Sequence, residues 1–221
     1  MDQILQLLFT GVGIGSVYAL VALGFVLIFR ATNVVNFAQG EFSMVAAFLM
    51  VVFAVDLQWP YWLSFLISLG GMALFGVIFN LGVYYPLRHR TFLPVIIATI
   101  GASIFLANSV LAIYGPAPQV LEGWFETPGI QLGPVYLDSQ YLLIIAVTLA
   151  LVVLNYWFFE HTMLGKKLQA TSQDKEMASL LGISVSGMIM ITFIYSAVLG
   201  GLAGILVAPI LFVSIQMGAT I

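Results

Sequence analysis

The sequence predicts an all-α fold, a polytopic transmembrane helix bundle of about six membrane segments. Three observations carry that expectation. The chain is 62% hydrophobic and only 7% charged, whereas soluble globular proteins carry about 25% charged residues. Six Lys and Arg with nine Asp and Glu cannot keep the surface of 221 residues in water. Apolar runs long enough to cross a bilayer, about 20 residues each, recur along the chain. Nucleic-acid binding and soluble enzymology are therefore excluded as first readings.

The apolar runs fall at about 4–29, 42–56, 61–85, 92–114, 140–159 and 187–215. The first follows Met1-Asp2-Gln3, with no positive n-region and no A-x-A cleavage pattern, so it reads as a span rather than a signal peptide. The second is short. Its strongly apolar part, 42–55, reaches only about 21 Å. Either its helix begins earlier, near Asn33, or residues 33–41 are a broken or re-entrant piece. Both place Asn36, Gln39, Gly40 and Glu41 near a polar interior, because unpaired backbone at membrane depth needs protein or a cavity around it. A short tilted span preceded by a loop is the plainer reading, and the polar interior is preferred to it.

Lipid gives helices no hydrophobic reason to associate, so small residues mark where they meet. Gly11, Gly15 and Ala19 form such a face on the first span. Ala98 and Ala102, with Thr99, Ser103 and Ala107, mark the fourth, and Ser196, Gly200, Gly204 and Ala208 mark the last. Asn80, Asn108 and Asn155 read as amides pairing across helices.

If the spans alternate, Arg30, Arg88, Arg90, Lys166, Lys167 and Lys175 all fall on one side. Asp2, Asp56, Glu122, Glu126 and Asp138 fall on the other. The positive-inside rule then puts the N-terminus outside and the basic loops in the cytoplasm. Residues 115–139, rich in Pro and Gly (Pro116, Pro118, Pro128, Pro134), read as an irregular external loop. Trp124 and Phe125 within it can lie at the lipid interface or meet a partner, and the interface is preferred. The chain has no Cys and two His, His89 and His161, so no thiolate metal site or disulfide is available.

Residues 160–186 are the most informative soluble stretch. Apolar positions from Leu168 to Leu181 cluster at helical spacing, Gly182 stands as a stop, and a short helix is expected to begin near Ser172. With one Lys and two acids, this helix suits a protein partner better than anionic lipid.

Glu176-Met177-Ala178 followed by Gly182 has the spacing of the E-A-A-x-x-x-G coupling loop of ABC-importer permeases. Leu164-Gly165-Lys166, Gln173-Asp174-Lys175-Glu176 and Leu181-Gly182-Ile183 resemble, more narrowly, the permeases of branched-chain amino-acid importers. Gly15-Ser16-Val17-Tyr18-Ala19-Leu20 through Asn36-Phe37-Ala38-Gln39-Gly40-Glu41-Phe42 is similar to that family's opening signature, and Tyr114-Gly115-Pro116 is a weaker match. Met177 replaces the usual Ala, and Gln39 stands where many relatives carry His. Relatives are expected to continue past Ile221 by roughly two more spans.

The resemblance implies one permease domain over 1–221, with an external loop at 115–139 and a cytoplasmic coupling loop at 160–186. It implies a bacterial cytoplasmic (inner) membrane, a second permease, homologous or identical, two cytoplasmic ATPase subunits, an external substrate-binding protein, and lipid around the spans. Substrate would be a branched-chain amino acid, urea, an amide or another small polar solute, passing near Tyr18, Asn36, Gln39, Gly40 and Glu41 by alternating access. Gly165, Lys166, Gln173, Asp174, Glu176, Ala178, Leu181 and Gly182 would couple to the ATPases. ATP and Mg would be bound by those partners, with no cofactor in this chain, since no G-x-x-x-x-G-K-[ST] loop occurs. No H-E-x-x-H or G-x-S-x-G arrangement suggests an enzyme. The alternative is an ATPase-independent channel or secondary-transporter subunit, which would also use a broken helix.

Overall fold

The computed structural model of the chain describes residues 2–123, 129–132 and 135–220. Trp124, Phe125, Glu126, Pro128 and Pro134, on which sequence expectations fall, lie outside the described residues. The order is α1 (Asp2–Thr32), α2 (Gln39–Val51), α3 (Tyr61–Phe79), α4 (Phe92–Tyr114), a two-stranded hairpin, α5 (Ser139–His161), α6 (Met163–Gln173), α7 (Lys175–Leu180), α8 (Val185–Leu211) and α9 (Met217–Thr220). π-helical turns extend α2 through Asp56 and α3 through Tyr84. Among the described residues, six helices are long and apolar enough to cross a membrane, and their limits follow the predicted runs closely. The last ends at Leu211 rather than near residue 215, because Phe212 takes a positive φ of 57° and turns the chain.

The hairpin pairs β1 (Ile130–Leu132) with β2 (Val135–Leu137), Gln131 opposite Tyr136, inside the loop expected to be irregular. Asp138 then caps α5, its carboxylate accepting from the Gln140 N–H at 2.8 Å. Gly115 stops α4 at φ 73°.

The helix α8 is the axis of the bundle, packed against α1, α2 and α3, and it is the most buried span, with α4 the least. Its predicted small-residue face explains this. A Cβ on Gly204 would overlap the Ser43 carbonyl of α2, and one on Gly201 would lie 2.8 Å from Met72 of α3. The Ser43 hydroxyl donates to the Gly200 carbonyl at 2.8 Å, a polar tie made possible by that close approach. Beside it an aromatic cluster fills the core: Phe42 meets Phe75 and Phe79 edge-on at 5.2 and 5.0 Å. Phe193 joins Phe79 and Tyr84.

The corresponding face of α1 behaves differently. Gly11 and Gly15 look into open space and Ala19 is exposed, while Gly13 and Gly24 are the α1 glycines that pack inside the chain. Of the three asparagines, Asn155 does bridge helices, accepting from the Tyr195 hydroxyl at 2.9 Å. Asn108 instead donates to the Ile104 carbonyl of its own helix, and Asn80 lines a cavity.

Candidate functional site

The chain leaves α1 at Thr32 and does not resume a helix until Gln39, so residues 33–38 are the broken piece, and the earlier start near Asn33 is not what forms. Asn33 takes φ 60°, accessible to Asn at modest cost, which ends α1. The irregular backbone is satisfied from within the protein. The Val34 N–H donates to Thr32 Oγ1 at 3.2 Å, Phe37 N–H to Thr99 Oγ1 at 3.3 Å, and Ala38 N–H to Asn36 Oδ1 at 3.1 Å. Such backbone persists at membrane depth only with these partners.

This break reaches the middle of the bundle. Ser103 stands eleven residues from Phe92 and eleven from Tyr114, the two ends of α4, and its hydroxyl donates to Glu41 Oε1 at 3.0 Å. On the other side, the chain turns at Phe212, bridges Val213 to Gln119, and sends α9 back against the start of α2. The Gly218 carbonyl sits where a Cβ on Gly40 would fall, and the Tyr18 hydroxyl donates to the Thr220 carbonyl at 3.3 Å. Two short helical ends thus meet near mid-span.

Of the predicted pathway residues, Tyr18, Asn36, Gln39 and Gly40 line one concavity of about 470 Å³, with Ala22, Phe25, Phe37 and Gly218. Glu41, next to Gly40, faces α4 and the α9 backbone rather than this concavity. Asn36, Gln39 and Glu41 are respectively 3%, 3% and 6% exposed. Asn36 Nδ2, Gln39 Nε2 and Glu41 Oε2 nonetheless have no hydrogen-bond partner. A buried polar atom left unpaired costs about 1–3 kcal/mol, and three within six residues mark a place built for something other than stability. The N-terminus of α2 adds to this, since its first N–H groups carry the positive end of the helix dipole and no side chain caps it.

Two serines complete the site and were read in the sequence only as packing residues. Ser103 holds Glu41. The Ser196 hydroxyl lies 2.8 Å from the Gly24 carbonyl and 3.0 Å from Gln39 Oε1. With one proton to give, it donates to one of these acceptors at a time, tying α8 either to α1 or to the Gln39 amide.

The second predicted cluster divides. Instead of one helix starting at Ser172, there are two, because Asp174 takes an extended φ of −150° and ends α6. Its carboxylate then caps α7, accepting from the N–H of Glu176 and Met177 at 2.9 Å each. Ser172 stays inside α6, donating to the Gln169 carbonyl. The stop at Gly182 is as expected: φ is 79°, its N–H donates to Ser179 and that of Ile183 to Ala178, closing a Schellman turn.

Gly165 and Lys166 lie at the far end of α6. Gly165 is buried at the α5–α6 elbow, where a Cβ would lie 2.7 Å from Phe159 Cα, and Lys166 pairs with Glu160 in solvent. Gln173, Asp174, Glu176, Leu181 and Gly182 are exposed. Ala178 is the exception: it is 1% exposed, packed inside the chain, so the outward apolar face of α7 is Met177, Leu180 and Leu181. The Lys175 ammonium donates to the Thr32 carbonyl at 3.2 Å, and burial holds it below the usual lysine range. This bond fastens α7 to the point where the broken segment begins.

Residues 7–221 match the family described as branched-chain amino acid transport system / permease component. The chain belongs to this family. It is 29% identical over 215 residues to the high-affinity branched-chain amino acid transport system permease protein LivH of Escherichia coli K12, covering 91% of this chain and 70% of the relative. It is 30% identical over 215 residues to BraD of Pseudomonas aeruginosa, another such permease protein, with the same coverage. The probable branched-chain amino acid transport permease protein LivH of Methanocaldococcus jannaschii is 26% identical over 197 residues, 84% of this chain and 60% of the relative. No solved structure matches the chain.

This family member is a multi-pass membrane permease subunit of an ABC importer. The ATPase-independent channel is accordingly set aside. The relatives are transport subunits, which work with partner proteins.

Proposed function

We propose that the chain forms part of the translocation path of an ATP-driven importer for branched-chain amino acids or similar small polar solutes such as urea or amides. The observation that carries this reading is the mid-span concavity, where a break in the chain leaves buried donors at Asn36 and Gln39 without partners. An amino acid presents a carboxylate that such donors and the α2 N-terminus suit. Glu41, just behind Gly40, places a carboxyl group on the far side of α2. Tyr18 and the exposed α1 face lie at the open side of the concavity, where a second permease, homologous or identical, completes the path.

Every Lys and Arg lies toward one end of the bundle. Placing that end in the cytoplasm puts the N-terminus outside, in a bacterial inner membrane. Of two ATPases, which bind the ATP and Mg, one docks on Met177, Leu180 and Leu181 and the other on the second permease, while an external binding protein delivers substrate. The chain has no phosphate-binding loop of its own. Closure of the ATPases moves α7, and through Lys175 and Thr32 it reaches the broken segment and the concavity, giving alternating access. Asp174 and Gly182 keep α7 rigid. Gly165 and Lys166 hold the α5–α6 elbow, and Gln173 and Glu176 rim the dock.

The test replaces Leu180 and Leu181 together by Asp, both outward-facing, and measures co-purification of an ATPase from the native membrane along with uptake. Loss of both, with normal insertion, is expected. An ATPase retained at the unmodified level would place the dock elsewhere.

A further inference from the structure

A second cavity, of about 580 Å³, lies at the basic end, between the end of α3 and the start of α7 and α8. Asn80, Tyr84, Tyr85, Arg88 and His89 form one wall, and Lys175, Glu176 and Ser186 stand opposite. The Arg88 guanidinium is fixed before any ligand arrives. It lies over the Tyr85 ring, 3.6 Å from its centroid, and its Nε donates to His89 Nε2 at 3.0 Å. Its Nη1 is buried with no partner. A guanidinium oriented by stacking, with an unspent buried donor, is a receptor for a planar or tetrahedral oxyanion.

The opposite wall supplies the second cation. Lys175 spends one donor on the Thr32 carbonyl, and an ammonium carries three. Burial that depresses its pKa is relieved when an anion sits beside it. Two cations therefore face one carboxylate, the exposed Glu176. The wall around Asn80–Tyr84 is a π-helical turn, an insertion that in helices often re-aims side chains at functional sites. Leu81 and Tyr85 beside it are exposed, so a lipid chain can lie alongside a headgroup held in the cavity. Arg90, two residues on, is exposed and lines no wall of this cavity, so it serves as the comparison for unspecific charge.

We propose that this cavity binds a phosphate-type anion, held between Arg88 and Lys175, which bridges the end of α3 to α7. The chemistry is the same whether the phosphate is an anionic phospholipid headgroup or free inorganic phosphate. The site does not depend on the transport reading.

The experiment is native mass spectrometry of the purified full chain, delipidated in neutral detergent. It is equilibrated with phosphatidylglycerol, phosphatidylcholine or inorganic phosphate. One phosphatidylglycerol retained in preference to phosphatidylcholine assigns the lipid headgroup; retention of inorganic phosphate without that preference assigns the free anion. Arg88→Gln and, on the other wall, Lys175→Gln are each expected to weaken binding about tenfold, and Arg90→Gln to leave it unchanged. Retention of neither probe would overturn the proposal. So would equal weakening by Arg90→Gln, which marks diffuse attraction of the basic end to anionic surfaces.

Discussion

Replacing Gly204 by Ala tests whether the contact between α2 and α8 holds the candidate site in place. The added Cβ would lie 2.6 Å from the Ser43 carbonyl carbon and 2.7 Å from Ser43 Cα, whereas ordinary contact begins at 3.4 Å. Both atoms, and the Ser43 carbonyl oxygen with them, belong to the main chain, so no side chain can swing aside. The helices must separate by roughly 0.8 Å or more, which stretches the Ser43–Gly200 bond from 2.8 Å beyond the range of a hydrogen bond. Overpacking of this kind costs about 1–3 kcal/mol, and a lost buried hydrogen bond adds about 1 kcal/mol. Unfolding by sodium dodecyl sulfate titration in mixed micelles should therefore show a loss of about 2–4 kcal/mol. Gly15→Ala, which meets nothing within 4 Å, should lie within about 0.5 kcal/mol of the unmodified chain. Equal effects from the two substitutions would refute the argument that α8 is clamped to α2 by backbone approach.

Gln39→Met removes an amide with one unpaired atom. Stability should hold to within about 1 kcal/mol, while uptake by the assembled importer falls at least about tenfold; destabilisation with normal uptake would mean the amide is structural. Ser103→Ala strips Glu41 of its hydrogen bond and should cost about 1–3 kcal/mol. Combined with Glu41→Gln, which replaces the carboxyl that bond serves, the loss should fall short of the sum, as a double-mutant cycle would show. Asp174→Ala loses the α7 cap, about 1 kcal/mol, and amide exchange across 175–181 should quicken about fivefold while α6 is unchanged.

Much of the architecture was legible because lipid imposes it: a run of apolar residues with the right length has few alternatives. The short second run signalled the break at 33–38 for the same reason, since 42–55 could not cross a bilayer by itself. The partners of the site were less visible. Serine in an apolar run looks like packing, and nothing local says that Ser103 will meet Glu41, 62 positions away, or Ser196 meet Gln39, 157 away. The division of 163–180 into α6 and α7 rests on one Asp whose extended backbone and carboxylate end one helix and start the next. Periodicity averages over such a residue. The small-residue faces of α1 and α8 look alike in sequence, yet one is buried within the chain and the other open, because which stripe a bundle uses depends on neighbours that arrive later.

The central place of α8 also has a consequence for biosynthesis. α2 is the least hydropathic of the six spans, at a mean of 1.5. The helix it packs against most extensively begins at Val185. Ser43 waits for Gly200 across 157 residues. At 5–20 residues per second that is a delay of about 10–30 s, during which Gln39, Glu41 and Ser43 sit in or beside lipid without their final neighbours. The nascent chain must therefore be held by the insertion machinery, or pass through a loosely associated stage, until α8, its sixth span, emerges. Completion of α8 would then act as the committing step of assembly, and truncations that stop before it should be cleared from the membrane rather than accumulate as partial bundles.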